Sequence, residues 1–250
     1  MVRVITGLLL MLSGGRRRSH MSQQRLFLVC VAFTGIVVMA LAPREMTAQE
    51  RSVAEFAPVT EAMLQEPAPE DWLMWRRTFD SWGYSPLDQV TRENVDELKM
   101  VWSRSLAPGR QEGTPLAYDG ILYMPQASDV IQAIDAVTGD LKWEHRRDLP
   151  DDVYDYVGGN ARNNRNIAIY DRFIINTSDD NYVFGLDAMT GKIAWETKIF
   201  DYQTTPVGHS SGPIIADGKV ISGRSCRPSG GPESCVITAH DALTGQELWR

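Results

Sequence analysis

One segment occurs three times along this chain, and each copy closes on a tryptophan. The copies read AIDAVTGDLKW over 133–143, GLDAMTGKIAW over 185–195 and AHDALTGQELW over 239–249. Their aspartates are Asp135, Asp187 and Asp241, which sets the period at 52 and then 54 residues. That period exceeds those of ankyrin and tetratricopeptide repeats and falls in the range of β-propeller blades.

Each copy is preceded by runs rich in Val, Ile, Tyr and Phe with partial period-2 alternation, the mark of strands. They are GILYMPQ (120–126) and DVIQAIDA (129–136), NIAIYDRFIINTS (166–178) and NYVFGLDA (181–188), then KVISG (219–223) and CVITAHDA (235–242). Tyr-Asp-Gly, Tyr-Asp-Arg, Asp-Asp-Asn and Ala-Asp-Gly separate them and suit tight turns. In the D-A-x-T-G segment, Gly139, Gly191 and Gly245 can take a left-handed turn without steric cost, and the aspartate can accept backbone N–H groups. The tryptophan is large enough to fill the gap between one blade and the next. The expected fold is all-β: a propeller of four-stranded blades, about three to four of them, and incomplete. ELKMVWSRSL (97–106) reads as a divergent fourth strand ending that lacks the D-A-x-T-G turn, preceded by a short helix in TRENVDEL (91–98) with Thr91 as N-cap. An open arc of blades leaves a sheet edge unpaired, so a fragment or a truncated gene product is expected.

The net charge of −7 and the lack of a basic stripe argue against a nucleic-acid partner. Residues 1–48 read as an N-terminal extension carrying an apolar run, LFLVCVAFTGIVVMALA (26–42), behind basic residues. This is the pattern of a secretory signal, with Met21 as a candidate start; an uncleaved membrane anchor through 26–42 is the alternative. Residues 49–70, rich in Glu, Ala and Pro, read as a linker, and 71–250 as the partial propeller. Cys226 and Cys235 are the cysteines left after the export segment, and in an exported protein such a pair is usually bridged; two free thiols are the alternative. No haem-attachment or zinc-site spacing occurs.

The D-A-x-T-G-x-x-x-W repeats, the segment WRRTFDSWGYSPLDQVTRENVDELKMVW (75–102) and the stretch RQEGTPLAYDGILYMP (110–125) together resemble the quinoprotein, PQQ-dependent alcohol dehydrogenases. The resemblance covers nearly all of 71–250. It implies an eight-bladed propeller binding pyrroloquinoline quinone (PQQ) on its axis in the periplasm, with Ca²⁺ or another metal ion, a small alcohol as substrate and an electron acceptor such as a c-type cytochrome.

Residue by residue, the resemblance places Glu112 and Arg165 against the quinone, with Ser210 and Ser225 as hydroxyl donors to its carboxylates. Guanidinium suits that task because it offers fixed, bidentate donors to carboxylate. A solvated turn glutamate and ordinary turn serines are the competing readings. The family's adjacent cysteine pair is missing, and Gly159 and Asn160 stand in its place. The calcium-ligating glutamate would fall near Pro228, leaving Glu233 as the substitute metal ligand. The catalytic aspartate of the family would lie beyond residue 250. The resemblance thus implies hydride transfer from an alcohol to the quinone by a complete enzyme, and a partial pocket without independent turnover in this chain. The alternative is a non-catalytic propeller with the same repeats that acts as an envelope scaffold. A related sugar dehydrogenase would usually carry several membrane spans, against the one apolar run here.

Overall fold

A computed structural model describes residues 56–158, 163–209, 211–225 and 234–250. Within Glu55–Arg250, which forms one compact unit, twelve strands make three four-stranded antiparallel sheets, each strand paired with its neighbour in sequence. The first holds β1 (Leu116–Tyr118), β2 (Ile121–Gln126), β3 (Val130–Asp135) and β4 (Leu141–Arg146). The second holds β5 (Ala168–Tyr170), β6 (Phe173–Thr177), β7 (Tyr182–Asp187) and β8 (Ile193–Lys198). The third holds β9 (Ile214–Ala216), β10 (Lys219–Gly223), β11 (Ile237–Asp241) and β12 (Glu247–Trp249). These are the four-stranded blades that the repeat predicts, three of them.

The repeated turns do what their residues allow. Asp135 Oδ1 accepts the N–H groups of Val137 and Thr138, Asp187 Oδ1 those of Met189 and Thr190, and Asp241 Oδ1 those of Leu243 and Thr244. The register of the outer strand pair slips at one equivalent place in each sheet: Ala133/Ile134, Gly185/Leu186 and Ala239/His240. An extra residue there bends the outer strand. The first turn of each sheet uses left-handed backbone at Asp119, Asp171 and Asp217, residues that tolerate it.

The sheets are locked by a forward-pointing joint. The indole of Trp143, on β4, lies on Gly191 of the second sheet, and its Nε1–H donates to the Ala188 carbonyl at 2.9 Å. Trp195 likewise lies on Gly245 of the third sheet, although its Nε1–H finds no hydrogen-bond partner among the described residues. Trp102 lies on Gly139, its Nε1–H donating to Ala136 at 3.1 Å. The divergent segment 97–106 therefore supplies a docking tryptophan as expected, although it forms no strand. Glycine is needed in these turns twice over: for positive φ, and because a Cβ would stand under 3 Å from the indole.

Two expectations need correction. Of residues 49–70, the part from 56 onward is anchored to the sheets through Val59 and Leu64 rather than forming a linker throughout. Val59 exchanges backbone hydrogen bonds with Asp171, and Thr60 caps the helix α1 (Glu61–Gln65), whose Leu64 is buried in the main core with Val59. Two apolar side chains at the right spacing outweigh a Pro- and Glu-rich composition. In TRENVDEL the helix shrinks to a single 3-10 turn, Val95–Glu97, with the Asn94 side chain accepting from the Thr91 N–H. Val95 and Leu98 are exposed, so no packed face stabilises a longer helix. Among the described residues no helix is long and apolar enough to cross a membrane; the run 26–42 lies outside them.

Candidate functional site

In an antiparallel meander the start of the first strand, the turn between the second and third, and the end of the fourth all lie at one end of the sheet. Glu112 precedes β1, Arg165 precedes β5, and Ser225 follows β10. These candidates therefore share the end opposite the D-A-x-T-G turns. Ser210, Glu233, Cys226, Gly159 and Asn160 lie outside the described residues.

Glu112 and Arg165 meet. The Arg165 Nη2 is 2.6 Å from Glu112 Oε2, Asn163 Nδ2 donates to Glu112 Oε1 at 3.4 Å, and Arg110 stands 3.8 Å from the same carboxylate. The Thr114 N–H donates to the Arg165 carbonyl, so backbone as well as charge joins the lead-ins of the first and second sheets. The lead-ins of the second and third sheets are closer still. Asn166 Nδ2 donates to the Ser211 carbonyl, and a Cβ on Gly212 would stand 1.9 Å from the Asn166 oxygen. Ser225 is already engaged: its hydroxyl donates to the Gly208 carbonyl at 2.7 Å and accepts from the Gly208 N–H at 3.2 Å. It fastens the irregular lead-in that precedes position 210. Beside these groups, both amide atoms of the buried Asn164 and two guanidinium nitrogens of the buried Arg224, Nε and Nη2, have no hydrogen-bond partner among the described residues. Orphaned buried polar groups are costly and call for a ligand or solvent.

At the same end lies a set of buried charges. Arg147, just past β4, reaches across to the second sheet. Its Nε and Nη2 pair with the two oxygens of Asp180 at 2.7 and 2.8 Å, Nη1 bonds Glu196, and the guanidinium stacks over Tyr182. Asp129, in the β2–β3 turn, accepts the Asp179 N–H at 2.8 Å, and the Tyr154 hydroxyl donates to Asp179 Oδ2. His209, in the lead-in to β9, has Nδ1 3.0 Å from Thr177 Oγ1 and Nε2 4.0 Å from Asp179 Oδ1. One ligand atom each from Asp129, Asp179 and His209 falls within a span of 4.8 Å. Burial pushes the Asp129 carboxyl up and the His209 ring down to about 3, the latter with help from Arg224.

The residue reading missed this set, because buried charge is rare unless paired and the partners come from three different sheets. The repeat does not flag them either: at its 52-residue offset Asp129 falls opposite Asn181, not Asp179.

His240, on β11, is fully buried, and desolvation holds its ring near a pKa of about 4. Unfolded histidine takes a proton near pH 6.5, so below that pH the unfolded chain binds protons that the folded ring refuses. The stability tied to this ring is therefore complete above about pH 6.5 and is lost as the pH falls toward about 4, by roughly 3 kcal/mol. Asp129 works in the opposite sense over part of that range, so the test is a difference. Urea unfolding at pH 7.5 and 4.5 should show His240→Gln losing less stability on acidification than the parent; equal losses would disprove the assignment.

The family model for the PQQ-type glucose/ethanol/alcohol dehydrogenase β-propeller domain matches residues 72–250. The dehydrogenase subunit of the quinone alcohol dehydrogenase of Komagataeibacter europaeus is 35% identical over 191 residues, covering 73% of this chain and 25% of that protein. The quinoprotein alcohol dehydrogenase PedH of Pseudomonas putida is 31% identical over 205 residues, covering 78% of this chain and 33% of that one. Among solved structures, the quinohemoprotein alcohol dehydrogenase ADHIIG of Pseudomonas putida superimposes with a TM-score of 0.68 at 30% identity, covering 78% of this chain and 29% of that chain. The chain thus spans about a quarter to a third of the length of the relatives it matches. Its three tryptophan-locked sheets and this match over nearly all of the described residues establish that the chain belongs to the PQQ-type dehydrogenase β-propeller family.

Proposed function

We propose that this chain forms part of the cofactor pocket of a PQQ-dependent dehydrogenase that oxidises a small alcohol. The observation that carries the reading is the Glu112–Arg165 pair, which brings together two residues 53 positions apart at the shared end of two sheets. The donors fit an anionic quinone. Arg165 offers a guanidinium that is part exposed beside a carboxylate, and Arg224 and Asn164 hold polar atoms with no partner among the described residues. When bound, PQQ supplies the carbonyl carbon that accepts hydride from the alcohol. Arg165 would hold a cofactor carboxylate, and Glu112 would fix the guanidinium plane. Ser210 would add a hydroxyl donor, while Ser225 works at one remove by pinning the Gly208 backbone. Glu233 is the proposed ligand of a Ca²⁺ ion.

Export to the periplasm is part of this reading, supported by the basic-then-apolar pattern before residue 42. Cys235 is disulfide-bonded, which supports its pairing with Cys226 across the loop RPSGGPES. A c-type cytochrome is the proposed electron acceptor, since several relatives are named quinohemoproteins.

The test is direct binding of PQQ to the full chain, followed by equilibrium dialysis and tryptophan quenching. Saturable binding is expected, weakened about ten- to hundredfold in Arg165→Ala, the usual value of a hydrogen bond to a charged group. Absence of saturable binding, or an affinity indifferent to Arg165, would leave the scaffold reading in its place.

A further inference from the structure

We infer that the seam between the second and third sheets holds a binding site for one small monovalent anion, a halide or a carboxylate, with Arg224 as its cationic ligand. Arg224 follows β10, and its N–H donates to the Val236 carbonyl, so the backbone there still runs with the sheet. The side chain is buried, at 6% exposure. Nη1 donates to the Gly223 carbonyl at 3.1 Å and to the Ser222 hydroxyl at 3.5 Å, while Nε and Nη2 have no hydrogen-bond partner among the described residues. Those two nitrogens form the edge of the fork that grips an anion between parallel N–H groups. Arg147 uses the same edge for Asp180 in the preceding seam. At Arg224 no protein carboxylate takes that place among the described residues.

The second observation lies on the same face. Ser222 pairs with Thr238 and Val220 with His240 across β10 and β11, so Arg224, Ser222, Thr238 and His240 share one side of the third sheet. In the second sheet the counterpart of Thr238 is Phe184, which His145 and Arg147 of the first sheet touch. By the same register, this side of the third sheet looks onto the second. His240 is fully buried there, and neither ring nitrogen is hydrogen-bonded; Nε2 stands 3.8 Å from Glu247 Oε2. Arg224 is near enough for its charge to bear on that ring. Buried donors are satisfied as a rule, and here a guanidinium edge and an imidazole lie open in one seam.

Charge gives the sign of the ligand. Asp129 favours the Arg224 cation and Arg250 opposes it. Asp129 is engaged by the Asp179 N–H, and burial pushes its carboxyl up, toward the uncharged acid. Arg250 is held by Glu247. A buried guanidinium short of counter-charge is costly, and an anion on its open edge removes that cost. One cation with two free donors suits a single negative charge. A free ion in solution and a carboxylate of the quinone are two sources of such a group, and the inference stands on Arg224 without the quinone reading.

The experiment uses the full chain, dialysed into sodium HEPES and titrated with sodium chloride or sodium acetate at constant ionic strength. Chlorine nuclear magnetic resonance reads the halide, and the unfolding temperature reads both ions. A saturable broadening of the chloride line is expected, reversed by acetate, with a saturable rise in unfolding temperature for either ion. Arg224→Met should abolish both effects. Arg224→Lys, which keeps the charge and loses the edge, should weaken them about tenfold and gives the reading if the methionine variant does not fold. Arg172→Met, at an exposed ion pair, should respond as the parent does. Added PQQ separates the sources: a chloride line that narrows assigns the site to a cofactor carboxylate, and one that stays broad assigns it to a free anion. No saturable effect of chloride or acetate, or an effect that survives both Arg224 variants, would overturn the site.

Discussion

Gly191→Ala should destabilise the chain by about 4 kcal/mol, through left-handed strain of roughly 1 kcal/mol and displacement of a docked indole worth most of the rest. The added Cβ would stand 2.5 Å from Trp143 Cε3 and 2.7 Å from Cδ2, and φ at this position is +68°. The indole has no room to yield without losing its Nε1–H bond to Ala188 and its packing against Tyr123. Gly120→Ala is the control. Its φ is +73°, yet nothing lies within 4 Å of the added carbon. Urea unfolding should therefore show a small loss for Gly120→Ala and a several-fold larger one for Gly191→Ala, with altered tryptophan emission only in the latter. Equal losses would mean that the turn geometry alone, not the indole, requires glycine.

Removing one partner of the buried Arg147–Asp180 pair should have a comparable effect. Both side chains are under 10% exposed, and the contact is bidentate. Arg147→Met leaves the Asp180 carboxylate buried without its cation, a change that costs about 3–5 kcal/mol. Lysine is no rescue, because a single ammonium cannot bridge both Asp180 oxygens and Glu196 while stacking on Tyr182. Arg147→Met combined with Asp180→Leu should recover most of the stability, since an apolar pair of similar volume avoids the desolvation of both charges. A double variant as unstable as Arg147→Met alone would show that the loss comes from stacking and packing rather than stranded charge.

The parts of this molecule legible in its sequence are those written more than once. Asp135, Asp187 and Asp241 keep fixed distances to a glycine and a tryptophan, so chance alignment is excluded and blade, turn and docking residue follow together. Trp102 is legible only as a divergent strand ending, since its segment lacks the aspartate and glycine of the other copies, and its own strand does not form. Features that depend on neighbours from different repeats were harder to read. The seating of Val59 and Leu64 against the sheets rests on tertiary contact that composition cannot report. The pair Glu112–Arg165 came from resemblance, because nothing local to either residue announces the other. Asp129, Asp179 and His209 met neither condition: no resemblance carried them, and each looks like an ordinary turn or loop residue alone.

The tryptophan joint also has a polarity. The first and second sheets each dock a tryptophan on the sheet that follows, and each sheet receives one from the chain before it, so donor and acceptor surfaces are different patches. In assemblies of separate subunits such head-to-tail contacts close into rings or run on as open filaments, according to the rotation per step. Here the rotation is set where an indole lies on a glycine, which makes the number of blades in a complete ring a property of that local angle.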